Sequence, residues 1–157
     1  MMSDHTHPFF ADLQRSFEAQ LLDLAKTIEG LPPEALDWVP GQDMNSLAVL
    51  LVHSARSTRY LVGDVVLGEL SNRDRAGEFA TSGVTVEQLT GQIHEVVAYL
   101  RTAIPRLTLD DLTKDCPMPG RDRSLRGSWA LLHALDHLAS HVGHAQVTRQ
   151  LWDQRAG

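Results

Sequence analysis

The chain has 157 residues, 43% of them hydrophobic and 22% charged, with a formal net charge of −6 when the histidines are neutral. That length suffices for one domain with a buried core. No apolar run approaches the roughly 18 residues of a membrane span, and the lysines and arginines are too scattered to grip nucleic-acid phosphates. The opening stretch, MMSDHTHPFF, lacks a basic region followed by an apolar one and so does not read as a signal peptide. Cys116 is the single cysteine, which rules out an internal disulfide and points to a reducing, cytoplasmic setting.

Four segments carry helical periodicity. The first, about residues 9–29, repeats Phe10, Leu13, Phe17, Leu21, Leu24 and Ile28 at three- and four-residue spacing. Gly30 and the two prolines that follow stop it. Asn45 or Ser46 can cap a second helix, about 46–67, whose first half is apolar nearly all round and therefore expected to be deeply buried. SNRDRAGEFATSG reads as a polar connection. Thr85 and Gln88 have capping-box spacing and open a third helix, about 86–104, with Leu89, Ile93, Val96, Val97, Leu100 and Ile104 on its buried stripe.

The next link, LTLDDLTKDCPMPGRDRSLRG, holds the small basic cluster Arg121–Arg126. It reads as a solvated loop that could still attract one small anion. The last helix runs from about 128 to 154. No strand, repeat or low-complexity tract stands out. The expected fold is all-α, a single-domain antiparallel four-helix bundle with long connections.

Four of the eight histidines fall within HALDHLASHVGH, residues 133–144. At about 100° per residue, His133, His137, His141 and His144 share an arc of about 80° on one face of the last helix. His137 and His141, or His133 and His137, are neighbours that could reach one ion. A pair holds a metal weakly. His53, in the apolar LAVLLVHSARS of the second helix, would supply a third nitrogen if it faced them across the bundle. Three neutral imidazoles leave an ion its full charge and an open position, the pattern of a catalytic site, and such donors suit zinc, nickel, copper or iron alike. His133 and His144 read as pocket-lining groups, Asp136 as a neighbour of the ligand pair, and His94 as a surface or partly buried residue. His5 and His7 read as residues of a disordered terminus.

NSLAVLLVHSARSTRYL together with HLASHVGHAQVTRQLW resembles the DinB/YfiT-like superfamily of bacterial four-helix-bundle metalloproteins, over nearly the whole chain. The resemblance implies that His53, His137 and His141 are the metal ligands, choosing 137/141 over 133/137, with Gly143 at the family's glycine. His144 departs from the glutamine common there, and its joining the ion would close the site. The resemblance also implies a thiol-dependent transferase or isomerase that uses bacillithiol, mycothiol or glutathione. Its partners would then be a small-molecule thiol and an electrophile, and the assembly a homodimer.

In that reading a divalent ion acidifies a low-molecular-weight thiol, with Arg121, Arg123 or Arg126 available to hold the thiol's carboxylates. Two alternatives use the same site. One is a metal-dependent hydrolase that activates water, for which Asp64 and Asp136 are candidate bases by sequence proximity alone. The other is a non-catalytic, stress-associated metal-binding protein.

Overall fold

The computed structural model describes residues 7–155. Six α-helices occupy most of it: α1 (Pro8–Lys26), α2 (Pro33–Asp37), α3 (Leu47–Arg59), α4 (Arg75–Phe79), α5 (Val86–Ala103) and α6 (Gly127–Gln154). A π-helical segment, Tyr60–Leu67, continues α3. Two short strands, β1 (Asp115–Pro117) and β2 (Ser124–Arg126), lie in the last link. The four long helices pack pairwise around one core, α3 against α5 and α6, and α1 against the same two.

Local chemistry sets the helix ends. His7 is not a loose terminal residue, because its Nδ1 accepts from the Phe9 N–H at 3.2 Å and caps α1, while His5 lies outside the described residues. The Ser46 hydroxyl accepts from the Val49 N–H at 3.2 Å and starts α3. Thr85 and Gln88 exchange both bonds of the capping box, at 2.9 and 3.1 Å.

The second helix does not continue in α geometry to Leu67. After Arg59 it widens into the π segment, where Arg59 Nη1 folds back to Asp64 Oδ1 at 3.0 Å and the guanidinium also meets the Glu69 carbonyl at 3.2 Å. A Cβ on Gly63 would lie 1.7 Å from Arg59 Nη1, so glycine makes that close approach available. Asp64 is buried in this network, also accepting from the Ser71 N–H and hydroxyl at 2.9 Å each. Its role is to pin the π segment and the following loop, not to serve as a base.

The last link departs from the strand-free expectation. β1 and β2 pair antiparallel with Cys116 opposite Leu125, both buried. Each strand has three residues and one inward side chain, too few for alternation to be read from sequence. Burial raises the Cys116 thiol's pKa, and Asp111 adds to it, so the buried sulfur is held as a thiol at neutral pH. The Gly127 N–H donates to the Lys114 carbonyl at 2.9 Å and seats the hairpin on α6, where a Cβ would lie 1.9 Å from the Asp111 carbonyl oxygen. Gly127→Ala is therefore expected to destabilise the protein by about 1–3 kcal/mol, read as a lower urea midpoint at unchanged slope.

Candidate metal centre

α3 and α6 bring together the residues that the sequence singled out. His53 sits in the buried face of α3 with 5% exposure, and His137 and His141 stand one turn apart on α6. The His137 Nε2 lies 3.2 Å from the His53 Nε2 and 3.2 Å from the His141 Nε2. One nitrogen from each ring falls within 4.8 Å of the others, the only such group of three or more potential ligands among the described residues.

A tetrahedral ion held at about 2.0–2.1 Å requires about 3.3 Å between donor nitrogens, close to the spacing seen. Hydrogen bonding accounts for the cluster poorly. An imidazole Nε2 is either one donor or one acceptor, yet His137 Nε2 meets two others. If all three Nε2 lone pairs face one cation, all three Nδ1 atoms carry protons. Two of those Nδ1 atoms, on His53 and His137, are buried without a hydrogen-bond partner. The residues present fit a divalent ion.

The electrostatics agree. Burial, reinforced by the neighbouring imidazoles, lowers the pKa of His137 and of His141 from the ordinary 6.5 to about 4. Both rings are thus neutral at pH 7, the state that binds metal. In metal-free protein the unfolded chain takes up these protons more readily than the folded one. Their contribution to stability is full above pH 6.5 and is lost as the pH falls toward 4. The urea midpoint of chelator-treated protein should fall across that window by the equivalent of about 3–6 kcal/mol, the lower end applying if the two imidazoles titrate as a coupled pair. A variant lacking both imidazoles should lose this part of the slope.

Behind His53 lies a residue that the sequence reading passed over. Glu78, 3% exposed, places Oε2 3.7 Å from His53 Nδ1, ion-pair range but longer than a hydrogen bond. Arg73 grips the same carboxylate, Nε to Oε1 at 2.6 Å and Nη2 to Oε2 at 3.0 Å. Burial works to raise the Glu78 pKa, but His53 and Arg73 outweigh it and hold the carboxyl below its usual range. A carboxylate behind a ligating histidine fixes its tautomer and increases its basicity. The Phe79 ring packs against the His53 ring, with centroids 4.7 Å apart.

The remaining candidates take separate places. His144 Nδ1 approaches His141 Nδ1 at 3.4 Å, behind that ring and away from the Nε2 cluster. In this arrangement it stands beside the His137–His141 pair and does not join the cluster of three nitrogens. His133 stacks on Trp129, centroids 4.5 Å apart and 18° from parallel, with its ring 5.8 Å from that of His137. Asp136 is exposed and forms no hydrogen bond or ion pair among the described residues, and His94 is exposed on α5.

Mycothiol-S-transferase is the family whose sequence model matches, over residues 12–154. The chain belongs to the mycothiol-S-transferase family. With it the chain is placed in the DinB/YfiT-like superfamily, as its two histidine helices led one to expect. No curated protein sequence matches. The fold is shared with a crystal structure described as the conserved protein of locus from Enterococcus faecalis, at a TM-score of 0.73 and 16% identity, covering 90% of this chain and 95% of that one. At that identity the likeness concerns fold alone. A metal-dependent thiol transferase at the coarse level is what the family implies, and no helix is long and apolar enough to cross a membrane among the described residues.

Proposed function

We propose that this protein is a divalent-metal-dependent thiol S-transferase of a four-helix-bundle domain, with His53, His137 and His141 as the ligands. One nitrogen from each of three imidazoles brought together, with His137 Nε2 3.2 Å from the Nε2 of both His53 and His141, in a chain of the mycothiol-S-transferase family carries this reading. A bound zinc, nickel or iron ion would supply the Lewis acidity that makes a small thiol a thiolate at neutral pH. The chain's own contribution is preorganisation. His137 and His141 are neutral at working pH, Glu78 held by Arg73 faces the His53 Nδ1, and Phe79 packs against the His53 ring.

Thiol transfer is favoured over hydrolysis by the placement of Glu78. This carboxylate sits on the Nδ1 side of His53 and is already engaged by Arg73, so it is poorly placed as a base for water at the Nε2 side. The thiol is mycothiol or a related bacterial thiol, and its partner is a small electrophile. The protein acts in the cytoplasm as a homodimer, with no nucleic acid as ligand. Exposed Leu132, Val147 and Leu151 on α6 offer an apolar face for pairing.

The test is consumption of an alkylating electrophile, monobromobimane, by metal-loaded protein with mycothiol, bacillithiol or glutathione. Thiol-dependent turnover that disappears on chelation is expected. Turnover of esters or lactones without any thiol, or no turnover with all three thiols, would overturn the proposal.

A further inference from the structure

Beside the histidine cluster, between the π segment, the hairpin and the start of α6, lies a cleft of about 170 Å³. Arg73, Arg121 and Arg123 line it and no carboxylate does. Arg121 and Arg123 form no ion pair or side-chain hydrogen bond among the described residues, and Arg73, though it grips Glu78, leaves its Nη1 unbonded. Ser57 and Tyr60 line the same cleft, and their hydroxyls have no hydrogen-bond partner among the described residues. The cleft thus gathers donors from the α3 helix with its π continuation, the loop before α4 and the hairpin turn, and of these only Arg73 meets an acid.

Its remaining wall is formed by Leu61, Met118, Leu125, Trp129 and His133. Met118 and Leu125 back it, and the parallel Trp129–His133 stack forms one side. Trp129 is 47% exposed, which leaves ring surface open to a planar group. The position matters as much as the lining. Arg73 joins the cleft to Glu78 and so to His53, and the His133 ring adjoins that of His137. Arg126, the third arginine of the basic cluster, does not line the cleft.

We propose that this cleft is a carboxylate-binding subsite, taking a small planar or aromatic carboxylic acid on Arg121 and Arg123 and holding the rest of the molecule toward the histidine cluster. Guanidinium groups match carboxylates in charge and in forked geometry, and here no internal acid competes for them. The volume accommodates one carboxylate and one ring. The carboxylate belongs to the electrophile, or to the thiol where that thiol is bacillithiol or glutathione, because mycothiol carries its cysteine carboxyl as an amide. As an anion site the cleft is independent of the thiol-transfer reading, and as a subsite of that reaction it rests on it.

The probe is 4-nitrobenzoate, whose nitro-aromatic ring quenches indole fluorescence, compared with the neutral 4-nitrobenzamide. Saturable quenching by the benzoate is expected at equal affinity in metal-free and metal-loaded protein, with the amide at least about tenfold weaker. Arg121→Gln with Arg123→Gln should weaken the benzoate about tenfold or more and leave the amide unchanged. Trp129→Phe should remove the quench. Equal affinity for acid and amide, a quench that survives Trp129→Phe, binding that requires metal, or benzoate affinity unchanged in the double variant would each overturn the proposal.

Matched turnover assays then separate the sources, using 4-(bromomethyl)benzoate against its amide and N-acetylcysteine against N-acetylcysteinamide. The pair whose KM preference for the acid collapses in the double variant identifies the carboxylate's owner. Arginine-dependent binding without turnover for any thiol would sink the thiol-transfer reading and leave the anion site standing.

Discussion

His53→Ala is expected to weaken divalent-metal binding by at least about 100-fold, because losing a ligand costs more than losing the partner behind it, itself worth about 10–100-fold. The deletion is selective in structural terms. It removes the only proposed ligand carried by α3, leaving His137 and His141 as an i, i+4 pair on α6. Thermal or urea unfolding with added zinc or nickel reads the effect. At a metal concentration of about 100 times the wild-type Kd, the ion stabilises wild type by about 2.7 kcal/mol and the variant by less than about 0.5 kcal/mol. A purely structural histidine would instead lower the metal-free stability and leave the metal-induced gain intact. Thiol-dependent turnover should vanish with the ion.

Glu78→Gln should lower metal affinity by about 10–100-fold while changing none of the three proposed ligands. The argument rests on how His53 is held. Its Nδ1 is buried, lacks a hydrogen-bond partner and faces a carboxylate that Arg73 keeps charged and fixed. Glutamine keeps the shape but removes the charge that favours a protonated Nδ1 and an electron-rich Nε2. It also leaves the Arg73 guanidinium, with a side-chain exposure of 13%, without its counter-ion. A stability loss of about 3–5 kcal/mol can accompany the change, as for any broken buried pair. The Co(II) spectrum distinguishes positioning from mere destabilisation. A shift in the visible bands of folded, Co(II)-loaded Glu78→Gln is expected, and bands identical to wild type would show that Glu78 does not act through His53.

Much of this centre was legible in the chain because its parts sit on long periodic helices. His53 stood out as an imidazole in an apolar run, and His137 and His141 as an i, i+4 pair, although the family resemblance was needed to prefer them to His133 and His137. The clamp behind His53 was not legible. Glu78 lies on α4, a single five-residue turn whose start is marked only by Asp74 accepting from the Gly77 N–H at 3.0 Å. Asp74 followed three residues later by glycine resembles any polar loop, and no apolar stripe announces so short a helix. Arg73 is just outside it.

The hairpin escaped for a related reason, since paired three-residue strands between prolines and glycines lack a period. The same blindness hid the arginine cleft. Arg121 and Arg123 read as a solvated cluster until the turn between β1 and β2 placed them beside Trp129 and His133, which come from α6. Nor could periodicity foresee the π segment, where Gly63 lets Arg59 fold back on Asp64 and removes that carboxylate from the candidate bases.

Elemental analysis of natively purified protein, beside the His137→Ala, His141→Ala double variant prepared identically, tests the central claim most directly. One divalent transition-metal ion per wild-type chain and almost none in the folded double variant is the predicted result. Stoichiometric metal retained by the double variant would contradict it.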